Sequence, residues 1–204
     1  KFGYKSVMQI PKLDKVVMWL KIAVSCLPAM LIGLPLNDWL DKHFYNPTVV
    51  ALMLLLYGAG FLFVERYNRS RKPRVNSIAA LRWSDALLIG VFQVLALIPG
   101  TSRSGATILG GILIGTSREV AAEYTFFLAV PVMFGASLLK IVKFGTISGT
   151  ELGVLLVGMA VAFGVSILAI RFLMGYIRKH DFTAFGWYRI GLGLLVLLYF
   201  YVIR

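Results

Sequence analysis

The sequence predicts an all-α polytopic integral membrane protein with transmembrane helices and a re-entrant helical hairpin. Hydrophobic residues make up 59% of the 204 residues, charged residues make up 15%, and the mean hydropathy is +0.82. A soluble domain is about 45–50% apolar and about 25% charged. Several apolar runs approach the roughly 20 residues that a helix needs to cross a bilayer. The runs are continuous rather than alternating, which excludes a transmembrane β-barrel.

Five of the apolar runs predict transmembrane helices. They cover residues 16–36, 47–64, 120–142, 151–172 and 186–203, and the loops between them are predicted at 37–46, 65–82, 143–150 and 175–185. Pro47 suits the first turn of the second helix. Thr116 and Glu119 have the spacing of a capping box, which predicts the beginning of the third helix.

Two further apolar pieces, residues 85–98 and 108–115, are too short to cross a bilayer. The polar stretch 99–107 separates them. Together they predict a hairpin over residues 85–115 that enters the membrane from one face, turns within it and returns.

The distribution of basic residues supports this topology. The net charge of +12 would suggest nucleic acid in a soluble protein, but the basic residues cluster between apolar runs, which favours topology signals. With residues 1–15 inside and a re-entrant hairpin, the basic segments 65–82 and 171–180 also lie inside. If residues 85–115 crossed as one span, the segment 171–180 would lie outside and the asymmetry would weaken. We therefore expect the hairpin tip to reach toward the outer leaflet and the C-terminus to lie outside.

The polar stretch 99–107 predicts an anion site. A charged side chain such as Arg103 costs roughly 2.5–3.5 kcal/mol at the middle of the bilayer, and such a residue normally faces a functional cavity. Pro99 and Gly100 break the helix, and Gly100 and Gly105 would let the backbone approach a ligand. The guanidinium of Arg103 matches phosphate oxygens, and the predicted hydroxyl donors are Ser102, Ser104 and Thr107. The alternative is an ordinary surface loop in which Arg103 extends its charge to the interface.

Other polar residues are weaker candidates. Gln93 and Glu123 lie near this stretch in sequence and could line its cavity, although an acid in a first helical turn is also favoured by the helix dipole. His43 and His180 lack metal-ligand spacing. Arg189, near the beginning of the last span, is interpreted as an interfacial anchor.

Several segments carry a family resemblance: Phe92-Gln93, Leu97, the run Pro99-Gly100-Thr101-Ser102-Arg103-Ser104-Gly105-Ala106-Thr107, Gly110-Gly111, and Phe127 to Pro131. They resemble the bacitracin-resistance family of undecaprenyl-diphosphate phosphatases, whose second signature is Pro-Gly-x-Ser-Arg-Ser-x-x-Thr. The resemblance extends over the whole chain, as the later three-quarters or so of a family member. It implies a bacterial inner-membrane enzyme that removes the terminal phosphate of undecaprenyl diphosphate, recycles the carrier for peptidoglycan synthesis and confers resistance to bacitracin.

The resemblance also implies an organisation and a set of site residues. The family fold has two inverted repeats, so the single membrane domain would comprise a cytoplasmic loop (1–15), the end of the first repeat with a basic connector (16–82) and the second repeat (83–204). Arg103 and Ser102 would be catalytic, and the residues that bind phosphate would be Gly100, Thr101, Ser104 and Thr107.

One part of the family pattern is absent from the sequence. We find no match to the first signature, a pair of glutamates followed by Pro-Val-Ser-Ser-Thr-Gly-His, which would supply the ligands for a Mg²⁺ or Ca²⁺ ion. No metal ligand is therefore predicted in this chain. Because the chain begins without Met in a loop-like segment, we expect it to be part of a longer protein; the alternative is an inactive molecule.

Three functional hypotheses follow from these features. The first is the phosphatase, with its active-site tip facing the periplasm. The second is a flippase or transporter of polyprenyl phosphate, because inverted repeats and a membrane-embedded arginine suit transport equally well. The third is an inactive fragment. The predicted partners are a polyprenyl diphosphate lipid and membrane lipids, without nucleic acid, and a homodimer is an open alternative for the assembly.

Overall fold

The computed structural model describes residues 12–144 and 148–203, and it is helical almost throughout. The helices are α1 (Lys12–Phe44), α2 (Pro47–Asn68), α3 (Trp83–Val94), α4 (Arg103–Leu113), α5 (Arg118–Phe144), α6 (Gly149–Ile177) and α7 (Thr183–Leu198). Short 3₁₀ turns at Ile78–Ala80 and Leu95–Leu97 flank α3, and a π-helical turn at Tyr199–Ile203 follows α7. Among the predicted loops, residues 1–11 of the first and 145–147 of a later one lie outside the described residues, as does the C-terminal Arg204.

The five predicted transmembrane helices are confirmed. Among the residues that the structure describes, five helices are long and apolar enough to cross a membrane: Asp14–Leu36, Pro47–Asn68, Arg118–Val142, Gly149–Ile177 and Thr183–Val202. The chain is therefore a multi-pass membrane protein.

Several predicted boundaries are wrong because helices continue past the apolar runs. The segment 37–46 was expected to be a loop, but α1 continues to Phe44 and also includes residues 12–15. In its last turn, the ring of His43 stacks on that of Trp39 at a centroid distance of 4.6 Å, and His43 Nδ1 lies 2.8 Å from the carbonyl oxygen of Trp39. A change in hydropathy marks where a helix leaves the bilayer, not where the helix ends.

The two short helices α3 and α4 form the predicted hairpin. Helix α3 packs on α1, and α4 packs on α2, α3 and α5. Close packing is possible because Gly110 faces the ring of Phe92 and Gly90 faces the backbone of Ser25, so that neither position has room for a Cβ atom. Every residue of α4 from Gly105 to Ile112 is buried. The hairpin is thus held inside the helix bundle.

Among the described residues, helices α2 and α7 make the most extensive contact of any helix pair. A Cβ atom added at Gly58 would lie 2.8 Å from the carbonyl oxygen of Gly186, and one added at Gly186 would lie 2.9 Å from that of Gly58. Further along, a Cβ atom at Gly193 would lie 3.0 Å from the carbonyl oxygen of Ala51. Small residues allow membrane helices to approach at backbone distance, and this contact sets the position of α7 beside the hairpin.

The basic connector between α2 and α3 closes the base of the hairpin. The carbonyl oxygen of Gly115 accepts hydrogen bonds from the backbone N–H groups of Arg74 (2.8 Å) and Val75 (3.1 Å), and the N–H of Ser117 donates to Val75 (2.9 Å). The Ser117 hydroxyl caps α5 by accepting from the N–H of Val120 at 3.2 Å. The predicted capping box of Thr116 and Glu119 is therefore wrong by one residue.

Two groups of buried apolar side chains lie on either side of the hairpin. The first, between α1, α3 and α5, includes Met18, Ile22, Ile89, Tyr124 and Leu128. The second, between α2, α4 and α5, includes Phe61, Val64, Ile108, Leu109 and Ile112. By contrast, α6 buries only its last residue, Ile177. The core therefore fixes the hairpin itself.

Candidate active site at the hairpin tip

The bend between α3 and α4 has an unusual backbone. Gly100 has φ +90°, and a Cβ atom there would lie 2.5 Å from the carbonyl oxygen of Val50. Both the left-handed conformation and the contact with α2 thus require glycine. Val50 lies in the first turn of α2, roughly 4–5 Å along the axis from its beginning, so the tip lies near the end of α2 opposite the basic connector. Gly100 faces this helix, whereas the sequence had suggested an approach of its backbone to a ligand.

Ser102 has φ +65°, and it is the one non-glycine residue with positive φ in the described part of the chain. A non-glycine residue in such a conformation costs on the order of 1–3 kcal/mol, and such strain is concentrated at functional sites. Its hydroxyl oxygen caps α4 by accepting from the N–H of Gly105 at 3.3 Å, and it lies 3.2 Å from the hydroxyl of Ser104. The strained residue thus places two hydroxyl groups together at the beginning of a helix.

Helix α4 begins at Arg103, five residues before the apolar piece from which it was predicted. Arg103, Ser104 and Thr107 therefore lie in the first turns of a helix and not in a loop. The first N–H groups of a helix have no acceptor within it, and the N-terminus carries a partial positive charge. Such an end binds anions, phosphate among them. The position of Arg103 adds a full positive charge to this end.

Thr107 and Thr125 connect α4 to α5 beside this helix end. The Thr107 hydroxyl donates to the backbone carbonyl oxygens of Arg103 (3.0 Å) and Ser104 (3.2 Å), and it accepts from the Thr125 hydroxyl at 2.9 Å. The bond from Thr125 joins the two helices at this point, and the proton of the Thr107 hydroxyl is already donated to the backbone of its own helix. Sequence reasoning missed Thr125, which lies among apolar residues in the third span.

A cavity of about 320 Å³ opens beside these residues. It is lined by Gln93, Ser102, Arg103, Ser104, Thr107, Thr125, Phe126 and Ala129. Arg103 is half-buried, and within the described ranges no carboxylate or carbonyl group pairs with its guanidinium. The wall thus combines one cation with hydroxyl groups and contains no acid. A desolvated cation without a counter-ion favours the binding of an anion.

The remaining candidates from the sequence take different positions. Gln93 lies in the cavity wall and is 2% exposed. Glu123 is half-buried on α5 and is not among the residues that line this cavity. Thr101 is fully buried behind the tip, and it too lies outside the lining. The structure therefore brings Gln93 together with Arg103 in the cavity wall, whereas Glu123 and Thr101 lie outside this wall.

Arg189 is a second arginine at the tip, and its interpretation as an interfacial anchor is wrong. Its Nη1 donates a hydrogen bond to the carbonyl oxygen of Thr101 at 2.9 Å, and its guanidinium carbon lies 5.8 Å from the ring centroid of Phe61. Its Nη2 is 3.2 Å from the position that a Cβ atom at Gly105 would occupy. Gly105, like Gly100, therefore faces protein. The signal in the sequence was the series Gly186, Arg189 and Gly193, whose spacing places them on one face of α7.

The cavity does not fit a divalent cation by itself. Proteins bind Mg²⁺ and Ca²⁺ mainly through carboxylate oxygens, supplemented by carbonyl oxygens. The lining of this cavity contains no carboxylate and no imidazole. In residues 12–144 and 148–203, His, Cys, Asp and Glu form no group of three that could hold a metal ion.

The fold and the site define a class: an all-helical, multi-pass membrane protein in which a short helical hairpin, packed inside the helix bundle, carries a cationic cavity at its tip. The chain belongs to the family described as bacitracin resistance protein BacA, whose family model matches residues 3–195. This membership confirms the resemblance that the Pro-Gly-Thr-Ser-Arg-Ser run predicted.

Proteins named undecaprenyl-diphosphatase are similar to the chain over most of its length. The protein from Acetivibrio thermocellus is 57% identical over 204 residues, which cover 100% of this chain and 75% of that protein. The protein from Streptococcus mutans is 59% identical over 186 residues, which cover 89% of this chain and 66% of that protein. The protein from Enterococcus faecalis is 54% identical over 199 residues, which cover 97% of this chain and 72% of that protein.

Proposed function

We propose that this protein hydrolyses undecaprenyl diphosphate to undecaprenyl phosphate and inorganic phosphate. Membership of the bacitracin-resistance family supports the proposal, as do relatives of 54–59% identity that are named for this activity. The reaction recycles the lipid carrier of peptidoglycan synthesis, and it would confer resistance to bacitracin.

One observation supports the assignment to the hairpin tip: among the residues that the structure describes, the guanidinium of Arg103 has no acidic partner, and it lines a cavity at the N-terminus of α4. Phosphoryl transfer requires little from a protein beyond positioning and the stabilisation of charge on the phosphoryl oxygens. Arg103 supplies a planar fork of donors, and the free N–H groups of α4 and the hydroxyls of Ser102 and Ser104 supply further ones. In this proposal Arg103 and Ser102 contact the reacting phosphate, and Ser104 lies beside them.

We infer the orientation from the basic segments. Residues 65–82 lie at the base of the hairpin and carry six of the 21 lysines and arginines of the chain, and the positive-inside rule favours the cytoplasmic side of a bacterial plasma membrane for such a segment. The tip, near the opposite end of α2, would then face the outer leaflet. The diphosphate would enter the cavity there while the polyprenyl chain remains in lipid.

The decisive experiment replaces Arg103 with lysine in the intact protein, including any residues that precede Lys1 in its gene. Lysine keeps the charge but loses the bidentate geometry. We expect phosphate release from a polyprenyl diphosphate in detergent to fall about 100-fold or more, the usual effect of removing a donor to a developing oxyanion. Arg66→Lys, an exposed position near the end of α2, is the matched control and should leave the rate unchanged.

Two outcomes would contradict the proposal. Phosphate release by Arg103→Lys at a rate close to that of the unmodified protein would remove Arg103 from the site. Tight binding of the lipid by the unmodified protein without any phosphate release would favour the flippase instead, because detergent solution allows hydrolysis but no transport.

A further inference from the structure

The side chain of Gln93 is buried in the cavity wall and has no hydrogen-bond partner in residues 12–144 and 148–203. It is 2% exposed, and neither Nε2 nor Oε1 forms a hydrogen bond within the described part of the protein. A buried polar group without a partner costs about 1–3 kcal/mol. Such groups are rare in native proteins and call for a specific explanation. The amide of Gln93 is therefore a candidate for a ligand contact.

A role in packing does not explain this glutamine. A methionine of nearly the same length would fill the same space on α3 without leaving an amide unsatisfied, and it would suit a membrane helix better. Gln93 also lies in the last turn of α3, which the 3₁₀ turn Leu95–Leu97 follows. It therefore occupies the end of α3 that leads to the tip, whereas Arg103 begins α4 on the other side of the bend.

The cavity has room for a group that reaches the amide. Three elements converge on it: Gln93 from α3, Arg103 from α4 and Thr125 from α5. A volume of about 320 Å³ corresponds to roughly ten water molecules at about 30 Å³ each, which is enough for a phosphate-bearing head group. Gln93 and Arg103 line the same cavity and form no hydrogen bond with each other, so one ligand in the cavity would be within reach of both side chains.

We propose that Gln93 is a substrate-contacting residue that donates a hydrogen bond from Nε2 to a phosphoryl oxygen of the lipid diphosphate. This inference rests on the proposed function. The amide adds a donor without adding charge, and because it lies on α3 while Arg103 lies on α4, it would fix the head group between the two helices. Two donors on different helices orient a tetrahedral group more closely than one can.

The test uses two variants of Gln93 and one control in the intact protein. Gln93→Met removes the amide at nearly constant volume, and Gln93→Glu keeps the shape but brings a negative charge against the anion. Thr116→Val is the control, because Thr116 Oγ1 is also buried without a partner but lies at the base of the hairpin, beyond the opposite end of α4. Phosphate release gives kcat and KM, thermal unfolding gives stability, and inhibition by inorganic pyrophosphate reports on head-group binding.

We expect Gln93→Met to melt at or above the temperature of the unmodified protein while its kcat/KM falls about 10- to 100-fold, as for the loss of a hydrogen bond to a charged group. Pyrophosphate should inhibit it correspondingly less. Gln93→Glu should fall further, and Thr116→Val should match the unmodified protein. An unchanged kcat/KM and unchanged pyrophosphate inhibition in Gln93→Met would overturn the inference, as would a loss of activity that merely follows a lower melting temperature.

Failure of this inference is distinguishable from failure of the proposed function. If the unmodified protein releases phosphate and Arg103→Lys does not, but Gln93→Met is normal, only the role of Gln93 is refuted. If the unmodified protein releases no phosphate from the lipid, the proposed function itself is refuted.

Discussion

Replacing Arg118 with alanine is expected to destabilise the protein, because this residue neutralises a buried carboxylate. Arg118, at the beginning of α5, holds Glu65 of α2 through Nε at 2.9 and 3.0 Å and through a further hydrogen bond from Nη2. Glu65 also accepts from the backbone N–H of Phe182 at 3.1 Å. One carboxylate thus joins α2, α5 and the turn before α7 at the end of the bundle remote from the hairpin tip.

The magnitude follows from the burial of the two partners. The side chain of Glu65 is 4% exposed and that of Arg118 is 35% exposed. Removing one partner of a fully buried pair costs about 3–5 kcal/mol, since the other charge is left unpaired. Because water reaches Arg118, we expect about 2–3 kcal/mol for Arg118→Ala. With a shift of about 2–4 °C per kcal/mol for a chain of this size, the melting temperature should fall by roughly 5–10 °C.

Thermal unfolding in detergent, followed by circular dichroism, measures this effect. Arg66→Ala is the control, because Arg66 is exposed and surface substitutions usually change stability by less than about 0.5 kcal/mol. Adding Glu65→Gln to Arg118→Ala should recover part of the loss, since an amide carries no charge to be buried. The reasoning is refuted if Arg118→Ala melts with Arg66→Ala, or if the double variant is no more stable than Arg118→Ala.

Two further predictions concern the contacts of α7. Gly58→Ala should lower the free energy of unfolding by about 1–3 kcal/mol, because the added methyl group overpacks against the backbone of Gly186. The control is Gly158→Ala on α6, where a Cβ atom meets nothing within 4 Å; it should be neutral or stabilise the protein by up to about 1 kcal/mol through helix propensity. Equal melting temperatures of the two variants in detergent would contradict this prediction. Arg189→Lys should weaken the hydrogen bond to the Thr101 carbonyl oxygen and lower kcat for phosphate release about tenfold. KM should change little, because Arg189 positions the tip but does not line the cavity. An unchanged kcat would contradict this role.

The sequence located the candidate site better than it described the shape of the site. The stretch 99–107 was predicted as a polar loop between short apolar pieces, and the structure places a bend there. The sequence did not show that α4 begins at Arg103, because residues 103–107 are either polar or small, while the apolar run from which the helix was inferred begins at Ile108. Hydropathy reports on contact with lipid, and helix formation depends on backbone hydrogen bonds that polar residues form equally well.

The contacts that complete the tip were inaccessible to local reasoning. Arg189 and Thr101 are 88 residues apart, and Thr125 and Thr107 are 18 apart on different helices. An arginine near a helix end has the same local sequence whether it extends to the interface or turns inward. The close approach of α7 to α2 and the hydrogen bond to Thr101 show that Arg189 points at the hairpin, and both are contacts between distant segments.

The sequence by itself determined the class of fold, the five helices long enough to cross a membrane, the short hairpin and Arg103 as the candidate cation at its tip, because bilayer thickness and the cost of burying charge act on each segment separately. The tertiary structure alone decided which polar groups meet at the tip: Ser102 strained into the left-handed region, Arg189 behind the bend, Thr125 beside Thr107, and Gln93 without a hydrogen-bond partner among the described residues. These relations depend on the distance and rotation between helices, which arise from side-chain packing between segments distant in the chain.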